Sequence, residues 1–202
     1  MVSWLRCVVL LCALSLAACA SFPYSPNDQN ILPLHDNVDG FCTAWAVSPQ
    51  RWITASHCIP PDGNLEFFIL DHRMTVVAFD DTVDLAMLSG GPSVRPLKVA
   101  RHAPTIGDEV YVMGYGGTNP LLLFFKGNLL SNSVHYFEEL NTTTVVVGAT
   151  GMPGMSGGPL LVHGEVIGAL VGGGHPAQFR QLMIAAVPWA SLVKFIKDAP
   201  TK

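Results

Sequence analysis

Almost every apolar stretch in this chain is short, four to ten residues by rough count, and closes on glycine, proline, asparagine or aspartate. Runs of that length and punctuation build strands, and they recur along nearly the whole sequence. "FCTAWAV" and "RWITA" are separated by "SPQ" and read as a hairpin, "LEFFIL" and "MTVVAF" flank Asp71-His72-Arg73, and "DLAML" follows. "SGGPSVRPLKVARHAP" concentrates glycine and proline without periodic apolar residues and reads as a linker between halves. Beyond it come "DEVYVMGYG", "LLLFFKGNLL", "TVVVGA", "GPLLVHGEVIGALVGG" and "QLMIAAV". Only "PWASLVKFIKD" has helical spacing, with Trp189, Leu192, Val193 and Ile196 at three- and four-residue steps behind Pro188. No strand–helix alternation appears, so the expected fold is all-β, two barrels or sandwiches closed by a C-terminal helix.

Residues 1–20 stand apart. Arg6 precedes an apolar run to Leu16 and then small residues, the layout of an export signal too short to span a bilayer convincingly. Leu16-Ala17-Ala18-Cys19 has the form of a bacterial lipobox, with Cys19 as the lipidated first residue. The competing reading is cleavage after Ala20 at an A-x-A site. Lipobox processing is the favoured expectation; it anchors the protein to a bacterial membrane facing the periplasm, and the alternative leaves it secreted. Residues 21–30 read as a tether. Two barrels are expected over 31–95 and 96–188, with the helix and tail over 189–202. Net charge is −4 and only 13% of residues are charged, with no basic run to track a phosphate backbone, so nucleic acid is not an expected partner.

Three of the five cysteines fall in the signal, leaving Cys42 and Cys58 in the folded part. In an exported chain the simplest reading is that they pair; two buried thiols are the alternative. His57 directly follows a strand beside Cys58, a setting that orients an imidazole for general-base work. No histidine forms H-E-x-x-H or a Cys/His zinc spacing, so neither a metal nor another cofactor is expected. An acid must hold the imidazole tautomer. Asp84, opening "DLAML", is preferred over Asp80 and Asp81, which read as solvated turn carboxylates. "GMPGMSGGPL" surrounds Ser156 with glycines, the composition needed to hold a nucleophile on a tight turn.

"TASHC", "DLAML" and "GMSGGPL", in that order, resemble the three signatures of the chymotrypsin/trypsin-like serine proteases, and "GDEVYVMGYG" resembles the opening of the second barrel in bacterial members. The resemblance runs from about Gly40 to about Trp189. It implies a double β-barrel with a cleft between barrels and a serine endopeptidase acting on protein or peptide substrates through an acyl-enzyme. His57, Asp84 and Ser156 would be the triad, and the N–H groups of Gly154 and Ser156 the oxyanion hole. It also implies a Cys42–Cys58 bridge. The substrate pocket would lie along Thr150 through Pro153 and Leu170 through Gly174, with Thr150, Leu170, Val171, Gly172 and Gly173 as its principal residues. Leu170 stands where glutamate-specific relatives carry histidine, while His175 offers a polar group nearby. Met155 replaces the aspartate of zymogen-type relatives, so no activating cleavage is expected. Two rivals remain at this point. One is a catalytically inactive, peptide-binding member of the fold. The other is an α/β-hydrolase esterase, suggested by Gly154-x-Ser156-x-Gly158 but lacking the helix that fold places after the serine.

Overall fold

The computed structural model describes residues 29–38, 40–60, 65–117, 121–137, 142–174 and 183–200. The signal, Cys19, most of the tether and His175 lie outside the described residues. Six strands come before the linker: β1 (Ile31–Asp36), β2 (Phe41–Ser48), β3 (Arg51–Thr54), β4 (Phe67–Ile69), β5 (His72–Asp80) and β6 (Leu85–Ser89). Six follow it: β7 (Glu109–Tyr115), β8 (Leu122–Phe137), β9 (Thr142–Gly148), β10 (Pro159–Val162), β11 (Glu165–Gly174) and β12 (Met183–Ala186), then helix α1 (Trp189–Asp198).

Each set closes into a barrel. The first runs β1-β2-β3-β6-β5-β4, and the second repeats the same order as β7-β8-β9-β12-β11-β10. Neighbouring strands are antiparallel in both, and closure leaves no open sheet edge. The fold is the chymotrypsin-like double barrel that the motifs implied.

Side-chain alternation sorts each strand between two cores. In β2, Ala44 and Ala46 fill the first barrel while Trp45 points to the seam; in β6, Ala86 and Leu88 face inward while Leu85 and Met87 face the seam. On the other side Leu160 and Val162 of β10 fill the second barrel, and Leu161 joins the seam with Val166, Ala169 and Val171 of β11. Strands buried on both faces need no polar alternation, which is why "LAML", "PLLV" and "MIAA" read as continuous apolar runs.

The linker is stitched down along its length. Leu97 N–H donates to Ala46 O in the first barrel (2.9 Å), and Val166 N–H and Ala100 N–H bond with Lys98 O and Val166 O at the second (2.7 and 2.9 Å). Helix α1 buries Leu192 and Phe195 in the seam, with Ala199 beyond its end, so the buried stripe differs from the Trp189-Leu192-Val193-Ile196 spacing read in the sequence. Trp189 is half-buried, and its Nε1–H donates to Ala100 O (2.9 Å). Strand β1 carries no sequence signal of its own because Pro33 interrupts it. It is held by pairing with β2 and β4, which closes the barrel.

Candidate active site

Strand β3 ends at Thr54, and one turn of 3-10 helix, Ser56–Cys58, carries His57 out of the first barrel. Cys58 is bonded to Cys42 on β2 (S–S 1.99 Å), which ties this turn to a neighbouring strand. With the two sulfurs bonded to each other, the Cys42–His57–Cys58 cluster offers no thiolate ligands. The bridge is also the mark of a chain folded outside the reducing cytosol.

Asp84 does not open β6 as a strand residue. It ends the turn after β5 with φ +55°, a left-handed conformation that aspartate tolerates better than most side chains. That conformation directs its carboxylate back toward His57. Asp84 Oδ1 accepts the His57 backbone N–H at 2.9 Å, and Oδ2 lies 2.8 Å from His57 Nδ1. A carboxylate only accepts, so this contact selects the Nδ1–H tautomer and leaves Nε2 with its lone pair. Asp84 is 4% exposed, whereas the His57 side chain is 47% exposed, so the pair has a buried anchor and an open working face.

Ser56, also buried, lies 2.9 Å from Asp84 Oδ1 and 3.0 Å from Asp81 Oδ1. One hydroxyl hydrogen serves one carboxylate at a time. Asp81 is therefore more than a solvated turn residue, whereas Asp80 caps the turn through Thr82 N–H and Thr82 Oγ1–H (3.0 and 2.6 Å).

In the second barrel Ser156 sits between β9 and β10. Gly154 and Gly157 have φ of +96° and +82°, and a side chain at Gly157 would collide with Thr54 Oγ1 and Thr43 O. The missing side chain lets the serine loop press against the end of β3, beside Ala55 and the turn that holds His57. Most N–H groups around the serine are spent within the protein. Met155 N–H bonds Met152 O (3.1 Å), Gly157 N–H bonds Leu170 O (2.7 Å) and Gly158 N–H bonds Met155 O (2.9 Å). The N–H groups of Gly154 and Ser156 donate to no acceptor among the described residues. Pro153 O accepts Gly117 N–H at 2.9 Å, and in a trans peptide this turns the Gly154 N–H to the opposite side. Ser156 Oγ–H has a long contact to Val171 O (3.4 Å). Met155 is fully buried in the second barrel's core.

Thr150 and Gly172 are half-buried and Gly173 is exposed. Leu170 and Val171 point into the barrel core and the seam, so they offer the cleft main chain rather than side chains. Ile184 carries no mark in the sequence. Ile184 packs in the second barrel's core, and a Cβ added to Gly151 or to Gly173 would meet its Cγ2 at 3.2 or 3.4 Å, so this methyl backs both glycines. The β11/β12 register that pairs Gly173 with Ile184 is what reveals it. A cavity of about 220 Å³ also went unforeseen; it lies beside His57 and the disulfide, between Leu34, His35, Phe41 and Phe67.

Two closed barrels of like topology, one presenting a carboxylate-held histidine and the other a glycine-framed serine, define the chymotrypsin-like class of hydrolase folds. The sequence profile of the trypsin-like peptidase domain matches residues 42–168, and the chain belongs to that family, as a serine-type endopeptidase. It is similar to the alpha-fibrinogenase albofibrase of Trimeresurus albolabris, 23% identical over 74% of each chain. It is also similar to the thrombin-like enzyme contortrixobin of Agkistrodon contortrix contortrix, 23% identical over 74% of this chain and 82% of that one. Among solved structures, the active form of the Rv3671c protease from M. tuberculosis superposes with a TM-score of 0.71 at 20% identity, over 86% of this chain and 83% of that one. Deg5 gives 0.66 at 16% identity, over 85% and 89%.

Proposed function

We propose that Ser156, His57 and Asp84 hydrolyse peptide bonds as a triad through an acyl-enzyme. The observation that carries this reading is the two-point grip of buried Asp84 on His57, at its N–H and at Nδ1. Nε2 takes the Ser156 hydroxyl proton as Oγ bonds to the scissile carbonyl carbon, and the carbonyl π pair moves onto oxygen. The Gly154 and Ser156 N–H groups, uncommitted among the described residues, stabilise that oxyanion. Collapse re-forms the carbonyl and expels the amine, which leaves with the proton from Nε2. Water, deprotonated by the same nitrogen, then attacks the acyl-enzyme and releases the acid and Ser156. The cavity beside His57 receives side chains on the leaving-group side. A fluorophosphonate should label the wild-type protein and not Ser156→Ala; a folded wild-type protein that resists labelling is the outcome expected of a peptide-binding module instead.

On the acyl side the enzyme prefers a small or medium apolar residue. Ile184 backs both Gly151 and Gly173, and Glu165 is the only acid between Ala149 and Ala185, at the first residue of β11. A lysine or arginine buried there would lack a counter-ion. A peptide-library profile should favour alanine- to valine-sized residues, and Ile184→Ala should extend it to larger ones. Cleavage dominated by lysine or arginine would contradict the pocket assignment.

Buried Met155 positions the serine loop by packing, so the enzyme needs no activating cut beyond signal removal. Export followed by lipidation at Cys19 is the proposed route to the membrane, and the mass of the mature N-terminal peptide decides between a lipidated Cys19 and cleavage after Ala20.

A further inference from the structure

Glycine permits the conformation at residue 154 but does not enforce it, because glycine populates positive and negative φ about equally. The Gly117 N–H on Pro153 O orients the Gly154 N–H, and something outside the loop must hold the Ser156 N–H on the same point. We infer that Thr43, on the opposite barrel, is the positioning residue that does so; the inference rests on reading those two N–H groups as the oxyanion hole.

Thr43 follows Cys42 on β2 and is fully buried. Every hydrogen-bonding group it has, apart from a second acceptance at oxygen, is engaged at this seam. Its Oγ1–H donates to Gly154 O at 2.9 Å, and the same oxygen accepts Tyr115 N–H at 2.9 Å. Its N–H donates to Ser156 O at 2.9 Å, and its carbonyl accepts Thr54 Oγ1–H at 2.9 Å. The carbonyls of both proposed oxyanion residues therefore hang on this one threonine. A held carbonyl fixes the peptide plane on its C-terminal side, which sets ψ of residues 154 and 156. Only Met155 lies between the two anchors, and it is itself locked in the barrel core. The Tyr115 N–H leaves the hydroxyl hydrogen no better acceptor than Gly154 O, so the direction of donation is fixed as well.

Removing the hydroxyl while keeping the shape leaves the half-buried Gly154 O and Tyr115 N–H without this partner. The least costly relief is rotation of the 154–155 peptide, a motion glycine permits; it carries Met155 with it and so moves the Ser156 N–H, on the next peptide, off its target. The defect should appear in transition-state binding rather than in substrate binding.

The test compares wild type, Thr43→Val and Thr43→Ser. For each, kcat and KM on a peptide substrate, normalised to titrated active sites, are set beside the affinity of a peptide boronic acid. Its tetrahedral adduct with Ser156 carries a charged oxygen in the oxyanion position. Thr43→Val should lose roughly 10- to 100-fold in kcat, lose boronate affinity by a similar factor, and keep KM within a few-fold. Thr43→Ser should recover most of both. Trp189→Phe, which removes a seam hydrogen bond remote from the site, should leave boronate affinity unchanged. If Thr43→Val is not recovered folded, Thr43→Ala carries the same expectation. A Thr43→Val enzyme that melts lower yet keeps kcat per active site and boronate affinity overturns the inference, since Thr43 would then be structural only. Wild-type protein that fails to bind the boronate overturns the oxyanion reading itself, a result distinguishable from the first because it needs no variant.

Discussion

The connection from the third to the fourth strand does different work in the two barrels, although the barrels share one strand order. In the first it carries His57 and is held by its own barrel, through the Cys42–Cys58 bond to β2 and the Asp84 carboxylate from the turn before β6. In the second it carries Ser156 and is held from both sides, by its own barrel through buried Met155 and the Gly157 N–H on Leu170 O, and across the seam by Thr43 N–H and Oγ1. The histidine loop relies on its own barrel, and the serine loop on both. A site divided in this way is complete only when the barrels are docked.

The largest test asks whether two loops so differently held act as one unit. Ser156→Ala and His57→Ala should each cost on the order of 10⁴- to 10⁶-fold in kcat, with the double variant hardly worse. Asp84→Asn should cost about 10⁴-fold by inverting the tautomer. Peptidase turnover by folded His57→Ala at near wild-type rate would dissolve the pairing. A crippled Asp81→Asn beside a normal Asp84→Asn would move the acid to Asp81.

Next in size is the disulfide. It closes a loop of sequence separation 16, and its loss should destabilise the protein by roughly 3 kcal/mol on the chain-entropy account. Melting curves with and without reductant measure this. Hydrogen exchange sharpens the comparison, because Cys42 immediately precedes Thr43. Reduction should raise exchange first in residues 55–60 and then in 154–158. Protection lost from the serine loop alone would reverse the order of dependence.

A smaller effect is expected at Ser56, one of three donors to Asp84 and one that divides its hydrogen with Asp81. Hydrogen bonds to charged groups contribute about 1.5 to 3 kcal/mol undivided. Ser56→Ala should therefore lower kcat/KM by roughly tenfold, at the lower end of that range. Ser56→Thr should restore most of it, and Asp81→Asn should change it by less. An unchanged kcat/KM in Ser56→Ala would show that the two His57 contacts suffice to hold the acid.

What was legible in the sequence was local. Strand runs bounded by turn residues announced two β halves, because length and punctuation are properties of contiguous residues. His57, Asp84 and Ser156 stood out because each sits in a short motif, and the structure does bring His57 and Asp84 into contact. What was not legible depends on register between distant strands. Thr43 is an unremarkable threonine in "FCTAWAV" until β2 meets residue 154, and Ile184 is one apolar residue in "QLMIAAV" until it faces Gly173. Asp84 reads as a strand residue because aspartate before an apolar run looks like its first residue; a left-handed φ after a turn has no separate sequence mark. Strand β1 escaped for the opposite reason, since Pro33 argues against a strand that long-range pairing imposes.

The smallest expected effect tests the seam itself, at Tyr115 on β7. Its hydroxyl reaches Ile31 O on β1 (3.3 Å), and burial pushes the phenol above its ordinary value of 10.0. The folded protein thus favours the neutral phenol. Stability from this group is fully present below the unfolded value and is lost as pH rises through the raised folded one. Tyr115→Phe keeps the main-chain N–H that bonds Thr43 Oγ1 and removes only the titrating hydroxyl. At neutral pH it should cost about 0.5 to 1.5 kcal/mol for the lost hydrogen bond. Above pH about 10 the gap to wild type should narrow, because the variant has no phenol to ionise at the seam. Tyr111, also raised but through its hydrogen bond to Glu109 on an exposed surface, is present in both proteins and cancels in the comparison. Melting temperatures for the pair, followed from about pH 7 to about pH 11, carry the measurement. A gap that stays constant across that range would mean that the Tyr115 hydroxyl reaches solvent in the folded protein, and that the barrels are held together by apolar packing and the Thr43 contacts without it.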